Sequence, residues 1–144
     1  MDDADRAGPF WDVLAGRVPE PPAARTLGWA LVSVTPDRGE IEVSFDAHAG
    51  FPNPAGVVQG GFLAAMLDDT LGPALVATLP PGEWAPTLQL SVSFLRPAAP
   101  GRLTGRGRVV HRGGGVAFLA GELADDGGRV LATATATARI VHPA

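Results

Sequence analysis

The stretch NPAGVVQGGFLAAMLDDTLGPALVATL, residues 53–79, decides the fold of this chain. A Gly/Pro-rich loop (47–59) leads into the pair Gly60–Gly61, and an apolar helix is expected over roughly residues 60–79. Asp68 and Asp69 stand side by side within it, and adjacent carboxylates are costly on a segment fit for burial. Helical spacing separates them. Three and four residues either side of Asp68 lie Ala64, Ala65, Leu71 and Gly72, a face of mostly small residues open to close approach. Phe62, Leu63, Met66 and Leu67 point largely elsewhere and can fill a core. Pro73 cannot donate to the carbonyl of Asp69, and its ring crowds that oxygen, so a kink is expected there. Asp69 is read as a solvated or capping carboxylate beside the kink. For Asp68 the purely structural alternative is a salt bridge to an arginine.

Outward from this helix the pattern is one of strands. GPFWDVLAG (8–16) reads as a short helix, and Pro19, Pro21 and Pro22 make an irregular link. LGWALVSVT (27–35) and EIEVSFD (40–46) form a hairpin about the turn PDRG. After PPG (80–82), strands are expected over 86–95, 102–111, 116–124 and 129–141, joined by short breaks. The ATATATA alternation in the last one puts Thr133, Thr135 and Thr137 on one face and alanines on the other, as a strand facing a helix or a neighbouring subunit would need. Short turns between strands imply an antiparallel sheet. One long helix and one such sheet make an α+β layer in which the sheet wraps the helix. The expected organisation is an N-terminal helix and linker over residues 1–24, followed by one domain over 25–144.

Composition narrows the function. There is no cysteine, which removes disulfides, thiolate metal sites and a Cys nucleophile. His48, His111 and His142 are isolated, so no metal site is expected. The opening MDDADRAGPFWDVL lacks the basic and apolar regions of a secretory signal, and the longest apolar run is broken by Asp68 and Asp69. A cytoplasmic protein with no membrane partner is therefore expected. The formal net charge of −4 argues against nucleic-acid binding. It is unevenly placed, with residues 1–95 at −8 and residues 96–144 at +4, all eleven basic residues being arginine. Solvated strand faces account for this; the alternative is that the C-terminal half offers guanidinium groups to a phosphorylated ligand.

The Gly60–Gly61 step has chemistry of its own. Helix N-termini expose unpaired N–H groups, and glycine lets an oxyanion or polarised carbonyl come near them. Gly60 and Asp68 are eight residues apart, which is about 12 Å along a helix axis. That is too far for both to act on one reacting atom, so a shared site would need two chains, with the N-terminus of one helix meeting Asp68 of the other. The spacing favours a two-fold dimer with composite sites.

Asn53, Gly56, Gln59, Gly60, Gly61 and Asp68 follow the pattern N-x(2)-G-x(2)-Q-G-G-x(6)-D, and TLQLSVSFLRPAAPG (87–101) follows the helix. In these features the chain, over about residues 25–141, resembles the PaaI-type hotdog-fold acyl-CoA thioesterases of the 4-hydroxybenzoyl-CoA thioesterase superfamily. The resemblance implies a hotdog sheet wrapped around the central helix, homodimers with two sheets joined edge to edge, and dimers of dimers. It also implies an acyl-CoA substrate with no separate cofactor. Asp68 would be the catalytic carboxylate, as general base or direct nucleophile, and the Gly60 amide would polarise the thioester carbonyl. Asn53 would place the water or carbonyl, and Thr87 would assist the water near Asp68. The residue before the glycine pair is His in many members; here it is Gln59, which can donate a hydrogen bond but cannot shuttle protons. CoA would lie near the end of the strand after the helix and the turn VHRGGGVAF (110–118). Arg96, Arg112, Gly113 and Gly114 are then candidates for its phosphates, although a glycine-rich hairpin turn is the simpler reading of 113–115. Gly61, Phe62, Met66 and Trp84 are candidate walls of the acyl pocket, against a plain core role. Two other readings are weighed. One is a non-catalytic acyl-CoA-binding module, disfavoured by a costly carboxylate on the small-residue face. The other is a hotdog dehydratase, disfavoured by the lack of a histidine before the helix.

Overall fold

A computed structural model describes residues 5–144. Two short helices, α1 (Pro9–Leu14) and α2 (Pro22–Leu27), precede strands β1 (Ala30–Thr35) and β2 (Glu40–Ala47). The long helix α3 (Gly60–Val76) follows, then β3 (Thr87–Phe94), β4 (Gly101–Gly113), β5 (Val116–Ala124) and β6 (Val130–Arg139). All pairings are antiparallel, in the sheet order β1-β2-β4-β5-β6-β3. Helix α2 stands where an irregular link was expected. Pro21 caps it, Pro22 occupies its first turn, and Gly28 ends it in the left-handed conformation, so the prolines start a helix instead of preventing one.

The sheet departs from a simple meander at β3. Consecutive in sequence to β4, it lies beside β6 at the far edge. Three strand spacings of about 4.8 Å must be crossed, which the six-residue connection 95–100 can span at about 3.3 Å per residue. Its course is pinned by Leu95 and Arg96 N–H donating to Leu131 O, and by Val58 N–H donating to Ala98 O.

Helix α3 lies on the concave face of the sheet. Leu63, Met66, Leu67, Thr70, Leu71, Ala74 and Leu75 are its buried residues, a stripe at three- and four-residue spacing that faces the strands. Close approach is possible because the strands are small beneath it. Ala132, Ala134, Ala136 and Ala138 of β6 are buried, and the intervening threonines face the other way, as the alternation predicts. Gly105, Gly107 and Gly121 lie directly under the helix. A Cβ at Gly105 would collide with Thr70 Oγ1, and one at Gly121 would sit 2.7 Å from Leu71 Cδ2 and 2.5 Å from Arg106 O.

Pro73 sits inside α3 and leaves the Asp69 carbonyl without its usual donor. The indole Nε1–H of Trp29 fills that place at 2.9 Å, tying the entry to β1 onto the helix. Trp29→Phe keeps the ring but leaves this carbonyl unpaired, so it is expected to cost about 1–3 kcal/mol, read as a lowered urea midpoint at unchanged m-value.

Candidate active site

Asp68 emerges on the face of α3 turned away from the sheet, and its side chain is exposed. Thr87, the first residue of β3, donates from Oγ1 to Asp68 Oδ1 at 2.9 Å. The partner of Asp68 is thus a hydroxyl and not an arginine. One carboxylate oxygen is held, and the other is left to act.

Eight residues earlier, α3 begins without a side-chain cap: Gln59 is the N-cap residue and makes no capping bond. The first amides of a helix have no partner within it. The space at Gly61 is open, whereas a Cβ at Gly60 would lie 3.2 Å from Phe94 Cζ, at the end of β3. Glycine at 60 therefore lets the Phe94 ring lie against the helix start. Asn53 organises the loop before it. Its Oδ1 accepts from Ala55 N–H at 2.9 Å and Val57 N–H at 3.3 Å, which leaves its amide N–H groups to donate outward.

A cavity of about 510 Å³ opens beside Asp68, between α1, α2 and the outer face of α3. Phe10, Leu27, Trp29 and Val76 give it apolar walls, and Asp68, Asp69 and Thr87 also line it. Of the four residues expected as pocket walls, none lines this cavity. Met66 is fully buried on the sheet side of α3, and Phe62 stacks on Phe51 with ring centroids 4.0 Å apart. Gly61 faces open space, and Trp84 is 57 % exposed beside the C-terminal Val141, its backbone bonded there. This cavity is walled by α1, α2, Trp29 and the outer face of α3. The apolar residues of the first three gave the signal, in GPFWDVL and AARTLGW, but nothing in the local pattern tells which element they cover.

Asp69 departs from the expected solvated carboxylate. It lines the same cavity, and burial, with Asp68 and then Glu20 adding negative charge nearby, raises its pKa from 3.8 to about 7. Its Oδ2 is buried with no hydrogen-bond partner among the described residues. A carboxyl that binds its proton more tightly folded than unfolded stabilises the fold fully below about pH 4. That contribution is lost as pH rises toward 7, where the charge must be carried in the cavity. Asp69→Asn should remove this dependence. The melting temperature of the variant should gain on the native protein between pH 4 and pH 7, with the difference level above that.

The candidate phosphate ligands lie apart. Arg96 donates to Val130 O at 2.5 Å, at the end of the sheet where β3 finishes. Arg112 lies near the other end, 3.9 Å from Glu83. Gly114 takes φ +61° in the turn between β4 and β5, so the glycine run makes a hairpin turn here.

The pieces together are a carboxylate on a helix crossing an antiparallel sheet, a glycine pair at the start of that helix, and an apolar cavity between the carboxylate and the N-terminal helices. The sequence profile of the family described as Thioesterase superfamily matches residues 55–132. The phenylacetic acid degradation-related protein of Ralstonia eutropha JMP134 is 45% identical, with a TM-score of 0.88 over 92% of this chain and 98% of that one. The PaaI protein of the phenylacetic acid degradation operon of E. coli shares the fold at 21% identity, with a TM-score of 0.80 over 92% of this chain and 93% of that one. The protein smu.793 of Streptococcus mutans UA159, solved bound to acetyl CoA, is 25% identical with a TM-score of 0.72 over 88% and 93% of the two chains. No curated protein matches the sequence. The chain belongs to the thioesterase superfamily and is a hotdog-fold thioesterase of the PaaI-like kind. None of the helices among the described residues is long and apolar enough to cross a membrane.

Proposed function

We propose that this chain hydrolyses acyl-CoA thioesters to the free acid and CoA, in sites shared between two copies. The observation that carries the reading is the way α3 lies along β3. Asp68 is bonded to Thr87, where the strand starts, and Gly60 lies under Phe94, where it ends. Strand β3 is an edge of the sheet, with Leu88 61 % and Phe94 55 % exposed, and Leu95 just beyond it 53 % exposed. An unpaired apolar edge is a template for another strand. Antiparallel pairing of two β3 edges about a two-fold axis brings the start of one strand to the end of the other. The partner's Gly60 then comes to the Asp68 of this chain, which answers the separation of about 12 Å within one helix.

In this arrangement the partner's Gly60 amide donates to the thioester oxygen, and the partner's Asn53, with its Oδ1 held by the loop, donates alongside it. Asp68 takes a proton from water with the carboxylate oxygen that Thr87 leaves free. The water oxygen bonds to the carbonyl carbon. The C–S bond breaks, its electron pair leaves on sulfur, and the proton held by Asp68 passes to the thiolate. Gln59, the N-cap residue of α3, carries an amide that can hydrogen-bond but cannot shuttle protons, so no proton is routed through it. The acetyl CoA bound to smu.793 supports CoA as the carrier.

Release of CoA thiol from a panel of acyl-CoAs tests the activity, and mixed dimers test the shared site. Asn53→Ala and Asp68→Ala chains, each inactive alone, should regain activity on subunit exchange, since one intact site forms per mixed dimer. Exchange without recovery would refute the two-chain site.

A further inference from the structure

The ring of Phe94 touches the start of α3, and the hydrolysis described above gives it no task. Along β3, Leu90, Val92 and Phe94 turn toward the helix side of the sheet, opposite the buried Ala136, Ala134 and Ala132. Leu90 and Val92 pack against the core, whereas Phe94 stays exposed on the free edge. The tip of its ring is set against Gly60, with Cζ 3.2 Å and Cε1 3.3 Å from where a Cβ at that residue would stand. Gly60 has no positive φ, so its backbone would accept any L-residue. Within one chain it is the ring that asks for glycine. Glycine weakens a helix relative to alanine, and a large apolar ring on an open edge gains little from burial. A short polar residue at 94 would relieve a lone chain of both costs.

The pairing of two β3 edges gives both features a use. Thr87 and Phe94 lie on one face of the strand, each opposite a buried alanine of β6. Setting the end of one strand against the start of the other therefore stands Phe94 beside the partner's Thr87, and so beside the partner's Asp68. The thioester has to lie between Gly60 of one chain and Asp68 of the other, and the ring borders that space. It closes one side of the helix start, while the side at Gly61 is open to a ligand.

We propose that Phe94 is a positioning residue of the shared site, its ring walling the space between Gly60 of its own chain and the partner's Asp68 and keeping bulk water from the thioester oxygen. This rests on the two-chain thioesterase reading above. A hydrogen bond from an amide to developing charge is worth more where water is excluded. The ring also holds Gly60 against β3, so the donor is in place before the charge forms.

The test follows thiol release from an acyl-CoA that the native protein turns over, at protein concentrations where sedimentation shows each variant to be dimeric. Phe94→Ala should lower kcat by about tenfold to a hundredfold, with KM within about threefold of native. Phe94→Leu keeps an apolar wall and should recover most of that loss; Phe94→Gln, of similar reach but polar, should not. Leu95→Ala removes a similarly exposed apolar side chain at the next position and should leave kcat within about twofold of native. The leucine and glutamine variants carry the comparison should the alanine variant fail to fold or to dimerise. Native kcat in Phe94→Gln overturns the proposal, as does a loss in Leu95→Ala as large as that in Phe94→Ala, which would trace the effect to interface area alone. An active native dimer whose Phe94→Ala variant is equally active sinks this proposal alone. Activity in a native monomer removes the two-chain site with it, and no turnover of any acyl-CoA removes the thioesterase reading as well.

Discussion

Asp68→Asn should lower kcat by about 10²–10⁴ on any acyl-CoA that the native protein hydrolyses, with little change in KM. The amide keeps the shape of the side chain and can still accept from Thr87 Oγ1, so the local geometry survives. What it loses is the ability to take a proton from water at neutral pH. The contact is at the surface, so stability should move little, and a melting temperature close to native separates a chemical loss from a folding defect. A variant that turns over at the native rate would remove Asp68 from the mechanism. Thr87→Ala offers a graded companion, since it frees Asp68 Oδ1 without removing the carboxylate. Its loss should be smaller than that of the asparagine variant.

Gly121→Ala should be the most damaging of the small substitutions in the sheet. The added Cβ would meet Arg106 O at 2.5 Å, Leu71 Cδ2 at 2.7 Å and the Gly107 Cα at 3.3 Å. Leu71 could rotate, but the carbonyl belongs to the neighbouring strand β4 and cannot move without opening the ladder. The expected cost is about 3 kcal/mol or more, seen as a lowered denaturation midpoint or as insoluble protein. The effect reaches function by one route: α3 seats on this small-residue floor, and its placement sets Asp68 against Thr87. Gly61→Ala is the contrasting substitution, since the space beside it is open. It should leave stability within about 0.5 kcal/mol.

The sequence by itself determined most of the secondary-structure elements. Apolar alternation marked the strands, and the helix from Gly60 onward was legible because its buried residues recur at three and four. The reading ran to residue 79, whereas the helix stops at Val76, near Pro73. The face on which Asp68 stands, and its distance from Gly60, followed from helical geometry alone, because rise and turn per residue are the same in every helix. Three matters were decided only by tertiary structure. Strand β3 moved to the far edge beside β6, because strand pairing is a long-range choice that local propensity does not encode. Helices α1 and α2 closed the cavity over the outer face of α3, a placement that an apolar side chain does not record, since it carries no sign of which surface it will cover. Asp69 was read as solvated because Pro73 predicts a freed carbonyl at that residue. Trp29, forty positions earlier in the chain, took up that carbonyl and helped to wall in the carboxyl beside it. Burial depends on what packs from elsewhere in the chain, and it turned the second aspartate from a surface charge into a group with a pKa of about 7.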